Sequence, residues 1–246
     1  MEFNNSIPIK KSWGQNFIID KNTINKIIKI INPKINEHII EIGPGKGALT
    51  FPLSKLVKKI TAVEIDPMLT HFLKQSKIKN ISIINEDFLK WKNNFTSKIK
   101  IVGNLPYYIS SPIIFKLLEN TYVTEIIIMV QKELGMRICA KPNTKDYSRI
   151  SILCQPFCDV SYECDISKNI FIPKPKVDSC LVRLNKKNSP INIESFSKFI
   201  KQAFTHRRKK LKNNLKDYSL DYNISDKRPE DISVIEYIDL YKKYFF

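Results

Sequence analysis

Two short segments carry residue types able to do chemistry together. The first is Glu41-Ile42-Gly43-Pro44-Gly45-Lys46-Gly47-Ala48. Glycines at this density let the backbone pass close to a ligand, and a turn that opens a helix offers unpaired N–H groups. Gly43, Gly45 and Ala48 satisfy the loose Gly-x-Gly-x-x-Gly/Ala fingerprint. Glu64 stands 21 residues after Gly43, an offset at which a carboxylate accepts from the hydroxyls of a ribose. The pair indicates an adenosine-containing cofactor; the plain alternative is a tight turn with an unrelated glutamate. Asp87, in Asn85-Glu86-Asp87-Phe88, lies where a carboxylate bonds the exocyclic amine of an adenine, although taken alone it reads as a capping aspartate.

The second segment is Gly103-Asn104-Leu105-Pro106-Tyr107-Tyr108. A side-chain amide, a proline-fixed turn and an aromatic ring can act together on a planar amine. Asn104 Oδ1 and a backbone carbonyl beside Pro106 accept its two hydrogens while Tyr107 stacks on the ring. A nicotinamide-dependent dehydrogenase accounts for the glycine loop and Glu64 but has no use for this second segment.

These segments need elements to hold them. Lys21 to Ile31 places Ile24, Ile27, Ile28 and Ile31 at helical spacing and stops before Pro33. Apolar runs at His38 to Ile42, Ile60 to Glu64, Ile81 to Ile84, Ile99 to Val102 and Glu125 to Gln131 read as buried strands. Ala48 to Val57, Pro67 to Gln75 and Pro112 to Leu118 read as helices, the last two with proline at the first helical position after Asp66 and Ser111 as caps. The alternation predicts an α/β fold with a mostly parallel, doubly wound sheet and a site at the carboxyl ends of its strands. Ser151 to Cys154, Cys158 to Cys164 and Ser179 to Leu184 read as further strands, an antiparallel completion of the sheet. The polar segment Asn185 to Pro190 marks a boundary. Beyond it Phe196, Phe199, Ile200, Ala203 and Phe204 recur at helical spacing, and Asp231 to Tyr241 forms a last amphipathic segment, so 188–246 reads as a small all-α domain after a catalytic domain at 1–187.

The chain has 246 residues, with 41 Lys and Arg against 24 Asp and Glu, a formal charge of +17. Such a surface attracts polyanions. Joint abundance of Lys, Asn and Ile is also what an AT-rich coding sequence produces, so charge alone does not decide. Lys201 to Lys216 holds seven Lys and Arg and no acid; its bland reading is a solvated helix face. Five cysteines without a Cys-x-x-Cys pair signal neither a disulfide framework nor a metal site. No apolar run approaches the ~20 residues that span a bilayer, and Met1 to Lys11 lacks the apolar core of a secretory signal, so a cytoplasmic protein is expected.

Seven segments, in order, carry a resemblance over nearly the whole chain: Lys11 to Phe17, Glu41 to Gly45, Asn104 to Tyr107, Gln131 to Glu133, Lys145 to Arg149, Phe171 to Ser179 and Phe204 to Leu211. In these the chain resembles the ribosomal RNA adenine N6-dimethyltransferases, most closely their bacterial small-subunit branch. The resemblance implies a Rossmann-like class I methyltransferase fold and S-adenosyl-L-methionine as cofactor, lined by Asn16, Ile18, Gly43, Gly45, Glu64, Asp87 and Asn104. It implies catalysis at Asn104, Leu105, Pro106 and Tyr107, with Phe171 as the second face of an aromatic sandwich around the target adenine. It turns the basic stretch into RNA contacts through Arg207, Arg208, Lys209, Lys210 and Lys212. The partners implied are small-subunit ribosomal RNA and the immature 30S subunit, met by a monomer. Tyr108, where the family usually has asparagine, Ser111, where it often has threonine, and Trp13 depart from its pattern. The large-subunit, antibiotic-resistance branch and an RNA-binding assembly factor with secondary catalysis are the competing readings.

Overall fold

The computed structural model describes residues 7–10, 13–92 and 95–245. Lys11 and Ser12, which open the first matched segment, and residues 1–6, on which the expectation about a secretory signal fell, lie outside them. The elements in chain order are β1 (Phe17–Ile18), α1 (Lys21–Ile31), β2 (His38–Ile42), α2 (Thr50–Ser54), β3 (Lys59–Glu64), α3 (Pro67–Lys74), β4 (Ile81–Asn85), β5 (Ile99–Asn104), α4 (Ser110–Glu119), β6 (Val123–Gln131), α5 (Lys132–Cys139) and α6 (Arg149–Cys154). There follow β7 (Cys158–Ile166), β8 (Phe171–Ile172), β9 (Ser179–Lys186), α7 (Ile193–Ala203), α8 (Leu211–Asn214), α9 (Tyr222–Ser225) and α10 (Val234–Phe245).

Seven strands form one sheet in the order β4-β3-β2-β5-β6-β9-β7, and β1 pairs with β8 in a separate two-stranded ladder. The pairings from β4 through β6 are all parallel. Parallel strands are covered on both faces, which is why β2, β5 and β6 read as continuous apolar runs. Ile39, Ile60, Val102 and Ile127 of these strands share a core with Ile27 and Ile31 of α1. Asp20 caps α1 by accepting from Thr23 N at 2.7 Å, and Asp66 caps α3 by accepting from Met68 N at 3.0 Å.

The chain divides into two compact units, residues 1–132 with 162–183, and residues 133–161 with 184–246. Packing thus places 133–161 with the C-terminal helices. In the second unit Phe196, Phe199, Ile200 and Ala203 of α7 are buried, and the Phe199 ring lies 5.7 Å from Tyr218, 6.0 Å from Tyr241 and 5.9 Å from Phe245.

Three local expectations are corrected. Ser151 to Cys154 is helix, not strand, because Ser151 Oγ accepts from Ser148 N at 3.0 Å and turns the chain there, donating in turn to the Arg137 carbonyl. The helix expected over Ala48 to Val57 is shortened to α2 by turns at both ends. Ser111 is no cap: a 3-10 turn over Tyr107–Ile109 leads into α4, and Ser110 Oγ donates back to the Pro106 carbonyl at 3.0 Å.

Candidate active site

Four neighbouring strands deliver the site. Their spatial order sets carboxyl ends side by side: Asp87 just beyond β4, Glu64 closing β3, Gly43 and Gly45 beyond β2, and Asn104 closing β5. Glu64 stands opposite Asn85, and Ile42 opposite both Val63 and Gly103. At about 4.8 Å per strand the row spans roughly 14 Å. A cleft runs along it, lined by these five residues with Asn16, Ile18, Glu41, Lys46, Pro106 and Tyr108 among others. Gly103 lets β5 lie this close, since a Cβ there would meet the Ile42 carbonyl oxygen at 2.6 Å. Gly45 has φ +57, and a Cβ on it would stand 2.9 Å from the Phe17 ring, so this turn and the N-terminal arm fit only with glycine.

The arm is stitched to the same unit. Lys10 Nζ and Gln15 Nε2 donate to the two Asp66 carboxylate oxygens at 3.0 and 2.8 Å. Burial opposes ionisation of Asp66, but these bonds and the Met68 N–H outweigh it and hold the carboxyl below its ordinary range. Asn104 Nδ2 donates to the Asn16 carbonyl oxygen at 2.9 Å. A carbonyl can only accept, so this bond fixes which end of the amide faces the arm and leaves Oδ1 as an acceptor with no partner among the described residues.

The cleft is acidic. Glu64 Oε2 accepts from Gly45 N at 3.1 Å and Oε1 from Asp66 N at 2.9 Å; burial nevertheless raises its pKa. Glu41, 2 % exposed, is pushed up to about 7 by burial, with the charge of Glu64 adding to the effect, and its Oε2 has no hydrogen-bond partner among the described residues. Asp87 Oδ1 accepts from Leu89 N at 2.9 Å, so Asp87 does cap a turn while also lining the cleft. An orphaned, buried carboxylate oxygen and three further acids, Glu64, Glu86 and Asp87, along a 14 Å row suit a long cationic nucleoside ligand. S-adenosylmethionine fits that description: Asp87 would hold its adenine, Glu64 its ribose, and Gly43, Gly45, Asn16 and Ile18 would enclose it.

Lys116 of α4 was not signalled by any motif. Its Nζ donates to the carbonyls of Phe88, Leu89 and Trp91 at 2.7, 2.9 and 2.7 Å, tying the loop that carries Asp87. Replacing Lys116 with methionine removes three charge-assisted bonds. About tenfold weaker cofactor binding at unchanged kcat is expected, together with faster amide exchange at 87–91; unchanged exchange would contradict the tether.

The second motif is brought only partly to the cleft. Leu105 is 1 % exposed, its N–H donating to the Met129 carbonyl at 3.0 Å. The Pro106 carbonyl is already engaged by Ile109 N and Ser110 Oγ, so the backbone acceptor beside Pro106 is that of Leu105. Tyr107 is half-buried with its hydroxyl 2.7 Å from Ser179 Oγ, and burial raises its pKa. Tyr108 lines the cleft in its place, 62 % exposed, against Gly14.

Phe171 is 2 % exposed and belongs to the core with Ile18, Ile166 and Leu181, so its expected place as the second face of a sandwich with Tyr107 stays a proposal. The ladder with β1 sets Phe171 opposite Ile18, and alternation along a strand then turns its ring inward and the half-exposed Ile172 outward. Phe171→Ala is expected to cost about 3–5 kcal/mol as a core cavity, and Phe171→Leu to keep activity within about threefold. A hundredfold loss in the leucine variant, measured at a temperature where both are folded, would restore a stacking role.

The basic stretch is also divided. Arg207 Nε pairs with Glu230 at 2.5 Å, and its Nη2 donates to the carbonyls of Lys145 and Tyr147, each at 3.0 Å. Lys210 and Lys212 both hold Asp226, at 2.9 and 2.7 Å. Arg208 and Lys209 are exposed and, among the described residues, without an ion pair.

A dinucleotide-binding sheet runs in simple order to its edge, whereas here β9 inserts between β6 and β7. That insertion, the glycine turn after β2 and the acid closing β3 define a class I, S-adenosylmethionine-dependent methyltransferase. The sequence model described as ribosomal RNA adenine dimethylase matches residues 7–233. "Ribosomal RNA small subunit methyltransferase A" of Mycoplasmopsis pulmonis is 48% identical over 211 residues, 84% of this chain and 83% of that protein. The protein of the same name from Wigglesworthia glossinidia brevipalpis is 44% identical over 251 residues, 95% and 96% of the two chains. Among solved structures, a dimethyladenosine transferase from Plasmodium falciparum superposes with a TM-score of 0.82 at 25% identity, covering 93% of this chain and 97% of that one. The 23S rRNA methyltransferase ErmE superposes at 0.73 and 26% identity, covering 92% and 98%. The chain belongs to the ribosomal RNA adenine dimethylase family.

Proposed function

We propose that this chain dimethylates N6 of two adjacent adenosines in the 3′-terminal hairpin loop of small-subunit ribosomal RNA. It acts as a monomer on the immature 30S subunit in the cytoplasm. Residues 1–187 carry the transfer and residues 188–246 hold RNA. Full-length similarity to small-subunit methyltransferases favours this substrate over the large-subunit one. Among the described residues no helix is long and apolar enough to cross a membrane.

The observation that carries the reading is the pinned Asn104 amide beside the acidic cleft. An adenine amine is a poor nucleophile because its lone pair is delocalised into the ring. Asn104 Oδ1 and the Leu105 carbonyl would accept its two hydrogens, hold the nitrogen partly pyramidal and aim it, an orientation effect. The cofactor supplies an electrophilic methyl group on a sulfonium. No strong base is needed from the chain, because the nitrogen becomes acidic only as it is alkylated. Tyr107 or Tyr108 would stack on the extruded ring, whose removal from a loop costs a few kcal/mol.

Labelled S-adenosylmethionine, incubated with unmethylated small subunits and followed by nucleotide mapping, tests the proposal. Label is expected on two neighbouring adenines near the 3′ end, two methyl groups each; label confined to large-subunit RNA would overturn it. An inactive Asn104 variant that still restores subunit maturation would favour the assembly-factor reading. Replacing Arg208 and Lys209 with glutamine should make the salt dependence of RNA binding shallower by about 1.5, while Arg207→Gln should chiefly lower thermal stability.

A further inference from the structure

The two ends of the same strands carry opposite charge. At the carboxyl ends the cleft is lined by Glu41, Glu64, Glu86 and Asp87, with Lys46 its one lysine or arginine among the described residues. At the amino ends His38, Lys59 and Ile99, the first residues of β2, β3 and β5, border a second cavity of about 660 Å³. Lys58, Lys59 and Lys98 form its exposed rim, and among the described residues none of them is in an ion pair. Its floor is Lys100, 7 % exposed, bonded to Glu37 at 2.8 Å, Glu125 at 3.0 Å and the Ile31 carbonyl at 3.3 Å. Of the residues that line it, four lysines stand against one carboxylate, Glu37, while Glu125 is shared with Arg183, so the cavity is positive.

We propose that this cavity grips the phosphodiester backbone of the RNA substrate, on the side of the sheet remote from methyl transfer. A strand of five residues separates the two ends by about 17 Å. That is roughly twice the screening length at physiological salt, so each end acts through its own charge. An acidic cleft suited to a sulfonium repels phosphates, and a catalytic unit that must hold RNA while presenting such a cleft needs its cations elsewhere. The rim provides three of them around a volume far larger than one phosphate. Lys100 is already neutralised and serves as the support that spaces them.

The inference rests on RNA being the substrate, and methyl transfer to unmethylated small-subunit RNA by the parent protein tests that separately. The test itself replaces Lys58, Lys59 and Lys98 with glutamine and measures binding of a small-subunit RNA fragment from 0.05 to 0.5 M salt. Three lost phosphate contacts should make the log–log slope shallower by about 2, with affinity roughly 100-fold weaker at 0.1 M salt. Cofactor affinity, titrated directly, should stay within twofold, which also shows that the variant is folded. The matching Lys→Arg triple should keep the parental slope. A control triple at the exposed Lys55, Lys74 and Lys79, which line neither cavity, should change the slope by less than 1. An unchanged slope in the first triple, or an equal loss in the control, overturns the proposal. So does calorimetric binding of inorganic phosphate alone, abolished in the triple with no effect on RNA, because it would make this a small-anion site.

Discussion

Replacing Asn104 with alanine is expected to lower methyl transfer by about 10²–10³-fold, the range seen when one preorganised polar contact to a reacting group is removed, with cofactor affinity changed less than tenfold. The reason lies in the division of labour within one amide. Nδ2 is fixed by the Asn16 carbonyl, so Oδ1 has a set direction before any RNA arrives. Asn104→Asp makes the sharper test. An aspartate keeps an acceptor oxygen but sets a negative oxygen against the Asn16 carbonyl, so it should be as inactive as alanine and should also loosen the arm. Single-turnover rates and cofactor titration on both variants decide the matter. Full activity in the aspartate variant would show that acceptance of an amine hydrogen is enough and that the pinning is incidental.

Glu41→Gln is expected to stabilise the free protein at alkaline pH by on the order of 3 kcal/mol, a rise in Tm of about 6–12 °C for a chain of this size. Burial and the charge of Glu64 raise the Glu41 pKa to about 7 from an ordinary 4.5. Between those two values the native protein keeps a proton that the unfolded chain has lost. Stability therefore falls as pH rises through this window and is lowest above 7. Glutamine removes the dependence, so the two proteins should melt alike near pH 4 and diverge by pH 8. The same change should weaken cofactor binding about tenfold at pH 8, because the unpartnered Oε2 no longer offers a charge to a cationic ligand. Parallel melting curves across this range would show that Glu41 is not the group responsible.

Strands β2, β3, β5 and β6 are readable because each is buried on both faces, so apolar content alone reveals it; β4, half-buried at the sheet edge, is readable from its isoleucines, and α1 from isoleucines at helical spacing. The same cue failed at Ser151 to Cys154, where four apolar-rich residues suit either state and a serine side chain chose helix. Glycine, acid and amide positions along the cleft follow from strand ends, and spacing exposes strand ends well. Orientation was not readable where distant segments decide it. The inward turn of Phe171 depends on a two-residue ladder with β1, about 150 residues away, and the engagement of Arg207 depends on Glu230 and two backbone carbonyls. Lys116 gave no signal at all, since a lysine on an amphipathic helix ordinarily faces water. Ionisable residues inside isoleucine-rich strands, Glu41 in β2 and Lys100 in β5, are anomalies that periodicity could flag.

The bond between Asn104 and the backbone of Asn16 ties the direction of the amide to the seating of the arm. Segments held by a two-residue ladder and a handful of side-chain bonds open at low cost, and whenever residues 13–18 lift, the amide loses its peg. The stretch that would enclose the cofactor is thus the same stretch that aims Oδ1, so a change that loosens one should loosen the other.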